Sequence, residues 1–202
     1  MAKPKDKVIK PYSKEEVSRM LAVCDKDYEN NAKFLGSRNR AIVLVLLDAG
    51  VRLMELTGMK IQDLNTSNGN IRVMGKGSKE RIVRIGKVAQ KSLWRYIMNR
   101  PNNGRDELWL TEEGKPLGPV AVQCMGKRLK ERAGVNGEGN IHRFRHTFAL
   151  NFLRVDKNVF NLQYLLGHSE LEMVRRYTST LGMEDALKAH EKASPADTMG
   201  FK

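Results

Sequence analysis

The chain has no apolar run near the roughly 18 residues that a membrane span requires. The longest, over 41–47, has the length of a core helix segment. Cysteine is scarce: Cys24 and Cys124 stand far apart with no CxxC pair, which excludes a zinc ribbon and a disulfide framework and leaves two ordinary thiols. The lysines at 3, 5, 7 and 10 are followed by no apolar stretch, so no secretory signal is indicated and the expected compartment is the cytoplasm. Acidic residues are few as well, with 23 Asp and Glu against 36 Lys and Arg and a net charge of +13. What remains is 41% apolar and 29% charged in 202 residues, enough to bury one sizeable core and too short for two full domains.

The positive charge is uneven. Between Arg72 and Arg105 ten basic residues face the single acid Glu80. A surface of that kind binds polyanions by phosphate neutralisation and counterion release, without reading sequence. A solvated face kept for solubility would show the same charge, so the decision falls to particular residues.

Residues 1–12 read as a flexible basic lead-in. Ser13 and Glu16 form a capping box, and Val17, Met20 and Leu21 give the following helix its apolar face. A second helix is expected over 37–48. Gly50 breaks it, and a short helix restarts near Arg52 with Leu53 and Leu56 inward. Alternating segments at 70–74 and 81–85 flank a 75–79 turn, a β-hairpin pattern. Further helices are expected over 88–98, 119–133, 142–153 and 158–166. A second capping box, Ser169 with Glu172, opens a helix toward Tyr177, and another is expected over 184–192 before a disordered tail at 194–202. The expected fold is mainly α with a small antiparallel sheet (α+β).

Two tempting motifs fail on chemistry. His142 and His146 have the i, i+4 spacing of a zinc-binding HExxH helix, but Arg143 stands where the general-base Glu belongs. The 75–79 turn lacks the glycine spacing of a P-loop, and Gly77 rather than Ser or Thr follows Lys76. No metal and no cofactor is expected.

Four boxes remain: AGVRLMEL over 49–56, VMGKGSKER over 73–81, HRFRHTFA over 142–149 and LLGHS over 165–169, followed by Tyr177. In this order the chain resembles the tyrosine recombinase, or phage integrase, family, which includes Xer-type recombinases and lambda integrase. The resemblance covers roughly 11–187 and implies a catalytic domain over 13–193. Most members carry an additional N-terminal helical domain that grips the opposite face of the duplex, and the residues before the second helix are too few to encode it.

The resemblance implies that Arg52 and Arg145 clamp a scissile DNA phosphate. Guanidinium suits that role because it stays charged and grips two oxygens at once. It implies that Tyr177 attacks phosphorus, giving a 3′-phosphotyrosine and a free 5′-hydroxyl, and that rejoining needs neither ATP nor metal. A phenol needs help to lose its proton; His142 is the expected acceptor, with His168 donating to a non-bridging oxygen. Lys76, between the two glycines, is the expected acid for the leaving 5′-oxygen, with Lys79 its competitor. Glu55 is a supporting residue that pairs with Arg52, while Lys79, Arg81 and Arg143 are expected DNA contacts and His146 structural. The implied partner is double-stranded DNA, with a tetramer forming on it from chains that associate weakly when free. A type IB topoisomerase-like relaxing activity and a non-catalytic DNA-binding module of the same fold are the alternatives.

Overall fold

The computed structural model describes residues 10–75, 77, 80–137 and 139–167. The Ser13 capping box is formed in full: the Ser13 side chain accepts from the Glu16 N–H and the Glu16 carboxylate accepts from the Ser13 N–H. It opens α1 (Lys14–Glu29). Helix α2 (Lys33–Ala49) begins earlier than its apolar run suggests. The unbroken apolar run over 41–47 leaves that part of the helix no polar face, so it must be enclosed; residues 41–46 are all buried. Around it pack α1, α4 (Lys87–Asn99) and α6 (Ile141–Asp156).

Between α2 and α4 lie the short α3 (Leu53–Thr57) and a three-stranded antiparallel sheet in the order β1 (Leu64–Asn65), β2 (Asn70–Met74), β3 (Glu80–Arg84). The hairpin stands as expected, with Val73 opposite Arg81 and Met74 opposite Glu80. Strand β1 has two residues, too few for any alternation to announce it. The small inner-face residues Ile71, Val73 and Val83 join the core. Helix α5 (Pro119–Arg132) follows, and α7 (Val159–Leu166) starts at an Asn158 cap whose side chain accepts from the Phe160 and Asn161 N–H groups. Ala149, Leu153, Leu162 and Leu166 form a second, smaller core between α6 and α7. No described helix is long and apolar enough to cross a membrane.

The link from α4 to the segment before α5 is polar and buried. The Tyr96 hydroxyl donates to the Leu108 carbonyl at 2.9 Å and accepts from the Leu110 N–H at 3.0 Å, while its ring stacks on Trp109. Arg38 adds a bond to the Leu110 carbonyl at 2.9 Å. The Tyr96 hydroxyl and the Leu108 and Leu110 main-chain groups it meets are thereby matched, the condition for enclosing them without loss of stability.

Residues 10–12 depart from the expected lead-in. Arg143 of α6 donates to the Lys10 and Pro11 carbonyls and to Glu16, and the Tyr12 N–H donates to Thr147 Oγ1 at 2.8 Å. Tyr12 is buried against Phe144, with the Arg143 guanidinium 4.1 Å from its ring centroid. Sequence gave no warning, because main-chain carbonyls that hold an arginine leave no residue-type signature. The capping box, the 184–192 helix and the tail expected after Gly167, like the lead-in at 1–9, lie outside the described residues.

Burial pushes the Tyr12 phenol up to about 12, and the Arg143 cation opposes this only in part. An unfolded tyrosine titrates near 10. The unfolded chain therefore releases this proton first, and the stabilisation, complete below pH 10, declines between about pH 10 and 12. Thermal melting across that window should fall less steeply for Tyr12→Phe than for the parent chain.

Candidate active site

Helix α2 stops where Gly50 turns left-handed, at φ +57°. Glycine is required there twice over: the conformation strains any other residue, and a Cβ would lie 2.3 Å from Phe148 on α6. The close approach aims the Gly50 carbonyl at α6, where it accepts from Arg145 Nη1. Arg145 Nη2 donates to the Leu166 carbonyl, 2.8 Å away at the end of α7. One guanidinium, 1% exposed, thus joins the ends of two helices.

Arg52 is the next residue but one, at the N-cap of α3. Its N–H donates to Glu55 Oε2 at 2.8 Å and its Nη1 to Oε1 at 3.0 Å, so a single carboxylate satisfies the helix start and orients the side chain. Arg81 reaches the same carboxylate from β3 with both terminal nitrogens, Nη2 at 2.8 Å, and its Nε donates to the Leu165 carbonyl at 3.1 Å. The Glu55 side chain is 2% exposed. Burial alone would raise its pKa; the hydrogen bonds from Arg81 and the Arg52 backbone, with the charges of Arg81 and Arg145, outweigh burial and hold it below the usual carboxylate range. It is an anion shared among cations.

A broad groove runs past this cluster, lined by Arg52, Met74, Gln123, Lys127 and His142 among others. His142 sits exposed in the first turn of α6, its ring edge-to-face with His146 at 4.8 Å. Lys130, also on the groove, bonds the carbonyls of Gly137 and Gly139 at 2.8 and 2.7 Å and so secures the loop before α6. Gly167 lies beside the cluster: a Cβ there would stand 3.8 Å from Arg81 Nη1 and 3.9 Å from Arg52 Nη1. Among the described residues, no three His, Cys, Asp or Glu are gathered where they could hold a metal ion.

Arg52, Glu55, His142 and Arg145 are therefore brought to one region, although Arg145 lies beneath the groove. Lys76, Lys79, His168 and Tyr177 lie outside the described residues. Two expectations are corrected. Arg143, expected on DNA, is 5% exposed and spends its donors on Lys10, Pro11, Asn136 and Glu16. Arg81 is turned into the site rather than out to a duplex. Within the basic stretch Arg72 pairs with Asp63 at 2.9 Å, Arg95 lies over Tyr28 and Arg100 bonds the carbonyls of Arg105 and Glu107, while Arg72, Arg84, Lys87, Lys91, Arg95 and Arg105 stay exposed.

The phage integrase family model matches residues 11–182. The chain belongs to the phage integrase family. Tyrosine recombinase XerC of Pseudomonas fluorescens is 31% identical over 182 residues, which are 89% of this chain and 60% of that protein. XerC of Haemophilus influenzae is 33% identical over 186 residues, again 60% of its length. The chain thus spans about three-fifths of the curated relatives it matches. The crystal structure of XerA recombinase superposes with a TM-score of 0.74 at 26% identity, covering 96% of this chain and 66% of that one. XerH site-specific recombinase, in a post-cleavage complex with palindromic difH substrate, gives 0.74 at 25% identity, covering 95% and 54%. The Tn1549 transposon integrase in complex with transposon right end DNA shares the fold at 21% identity, with a TM-score of 0.76 over 96% of this chain and 68% of that one. The helical architecture with its small antiparallel sheet is the catalytic-domain fold of these integrase-family proteins.

Gly50→Ala tests how the turn positions Arg145. Left-handed strain, with the Phe148 clash added, should cost about 1–3 kcal/mol, measured by urea unfolding. A loss below about 0.5 kcal/mol would mean that the turn relaxes freely.

Proposed function

We propose that the chain is the catalytic domain of a site-specific DNA recombinase that cuts and rejoins double-stranded DNA through a 3′-phosphotyrosine. The observation that carries this reading is that Arg52, Glu55 and His142 line one groove, with Arg145 bound close by in the interior, in a phage integrase fold. Three guanidiniums, those of Arg52, Arg81 and Arg145, surround the one carboxylate of Glu55. The positive surplus suits a phosphodiester and suits still better the extra negative charge of a pentacoordinate transition state.

In the proposed reaction the Tyr177 oxygen attacks phosphorus while His142 takes the phenol proton. The bond from phosphorus to the 5′-oxygen breaks, and Lys76 protonates that oxygen. His168 donates to a non-bridging oxygen and Lys79 contacts a neighbouring phosphate. The phosphotyrosyl ester keeps the bond energy, so attack by a 5′-hydroxyl from the same or another strand reseals the backbone without ATP or metal. The resemblance to XerH bound to its difH substrate and to the Tn1549 integrase bound to transposon DNA supports DNA as partner and recombination over simple relaxation. A cytoplasmic, nucleoid-associated location and a tetramer on DNA complete the reading.

The chain incubated in excess EDTA with a nicked suicide duplex bearing candidate sites should form a covalent adduct. Tyr177→Phe should form none while binding the duplex about as tightly, as judged by gel shift. Lys76→Ala should cleave slowly and recover on a duplex with sulfur at the bridging 5′ position, which departs without a proton. An adduct from the Phe variant, or rescue in Lys79→Ala alone, would reassign those roles. Assembly on DNA predicts that adduct yield rises more steeply than linearly with protein concentration; a linear rise would remove the tetramer from the reading.

A further inference from the structure

Arg81, like Arg143, has its donors committed within the fold. Its three kinds of N–H are divided between two acceptors on separate elements: both terminal nitrogens on Glu55 and Nε on the Leu165 carbonyl. Those partners lie 26 and 84 positions away in sequence. The side chain is 14% exposed, against 29% for Arg52. A residue kept for phosphate contact would have its donors toward the groove; here they are committed inward. A planar fork can hold a carboxylate and a carbonyl together, whereas an ammonium offers no such fixed geometry.

We propose that Arg81 is a positioning residue for phosphate cleavage, fixing Arg52 through Glu55 and fixing the end of α7 through the Leu165 carbonyl. This rests on the recombinase reading of the site. Strand β3 carries the hairpin whose turn contains Lys76, so Arg81 ties that hairpin to the arginine of the first box and to the helix end that precedes His168. The mechanism is a shared hold on Glu55. With Arg81 in place, Glu55 divides its oxygens, and Arg52 gives it one side-chain nitrogen. With Arg81 gone, Glu55 loses two of its donors, and its carboxylate no longer holds Arg52 in one orientation.

The groups that face Glu55 are Arg52 from α3, Arg81 from β3 and Arg145 from α6. Removing Arg81 leaves burial less opposed, so the carboxyl moves up toward neutrality. On acidification Glu55 then protonates at a higher pH than in the parent and no longer orients Arg52. A merely structural arginine would not create that pH dependence.

The test uses the full chain as parent, Arg81→Lys and Arg81→Gln, on a nicked suicide duplex at saturating protein, with single-turnover adduct rates from pH 5.5 to 8.5. Salt-dependent binding and thermal melting are measured beside them. We expect affinity within about twofold of the parent and an unchanged salt slope. Adduct formation should slow about tenfold in Arg81→Lys and about a hundredfold in Arg81→Gln, the scale of a small misplacement of catalytic groups. The acid limb of Arg81→Gln should lie at higher pH than that of the parent. A salt slope lower by about one, with an unchanged rate at saturation, would make Arg81 a phosphate contact and overturn the proposal. Unchanged rates would overturn it, as would loss of folding in both variants; if only Arg81→Gln unfolds, the rate and salt slope of Arg81→Lys decide. A parent that forms no adduct defeats the recombinase reading and this inference with it, whereas an active parent with equally active variants defeats this inference alone.

Discussion

A buried guanidinium sets the geometry of this protein. Moving a charge out of water costs several kcal/mol unless fixed dipoles or counter-charges replace the lost hydration. Arg145 is enclosed and is held by the carbonyls of Gly50 and Leu166. Those two carbonyls end α2 and α7, so satisfying one side chain fixes where two helices stop and how both meet α6. The left-handed turn at Gly50, the Phe148 ring against it and the small core of Ala149, Leu153, Leu162 and Leu166 are arranged around that requirement. Arg52 follows two residues after Gly50, so the same turn delivers the second arginine.

Charge balance explains why the cluster can wait for an anion. Glu55 is kept ionised by its neighbours and in turn keeps Arg52 and Arg81 from scattering, but one carboxylate cannot neutralise three guanidiniums. The surplus is aimed by backbone carbonyls and a buried acid rather than by flexible surface contacts. A site organised before an anion arrives needs little rearrangement to meet it.

Much of the fold was legible in local signals. The Ser13 capping box, the hairpin around 75–79, the Gly50 break and the enclosed helix through 41–46 are readable because each depends on residue types at short fixed spacing. Arg52, Arg145, His142 and Glu55 were legible as a set through the boxes they occupy. Arg81 and Arg143 were misread for a common reason: a charge in sequence has no direction. Their partners are carbonyls and acids distant along the chain, and only the fold brings Lys10, Pro11 and Glu16 to Arg143 or Glu55 and Leu165 to Arg81. The two-residue strand β1 and the tether at residues 10–12 escaped because neither carries periodicity.

The central claim is that DNA meets an arginine cluster already built by the fold. A crystal structure of the chain bound to a nicked duplex tests it most directly. The account predicts one phosphate within hydrogen-bond reach of both Arg52 and Arg145, with Arg145 still bonded to the Gly50 and Leu166 carbonyls and Glu55 still shared by Arg52 and Arg81. A phosphate seated elsewhere, or an Arg145 that must abandon both carbonyls to reach it, would contradict the account.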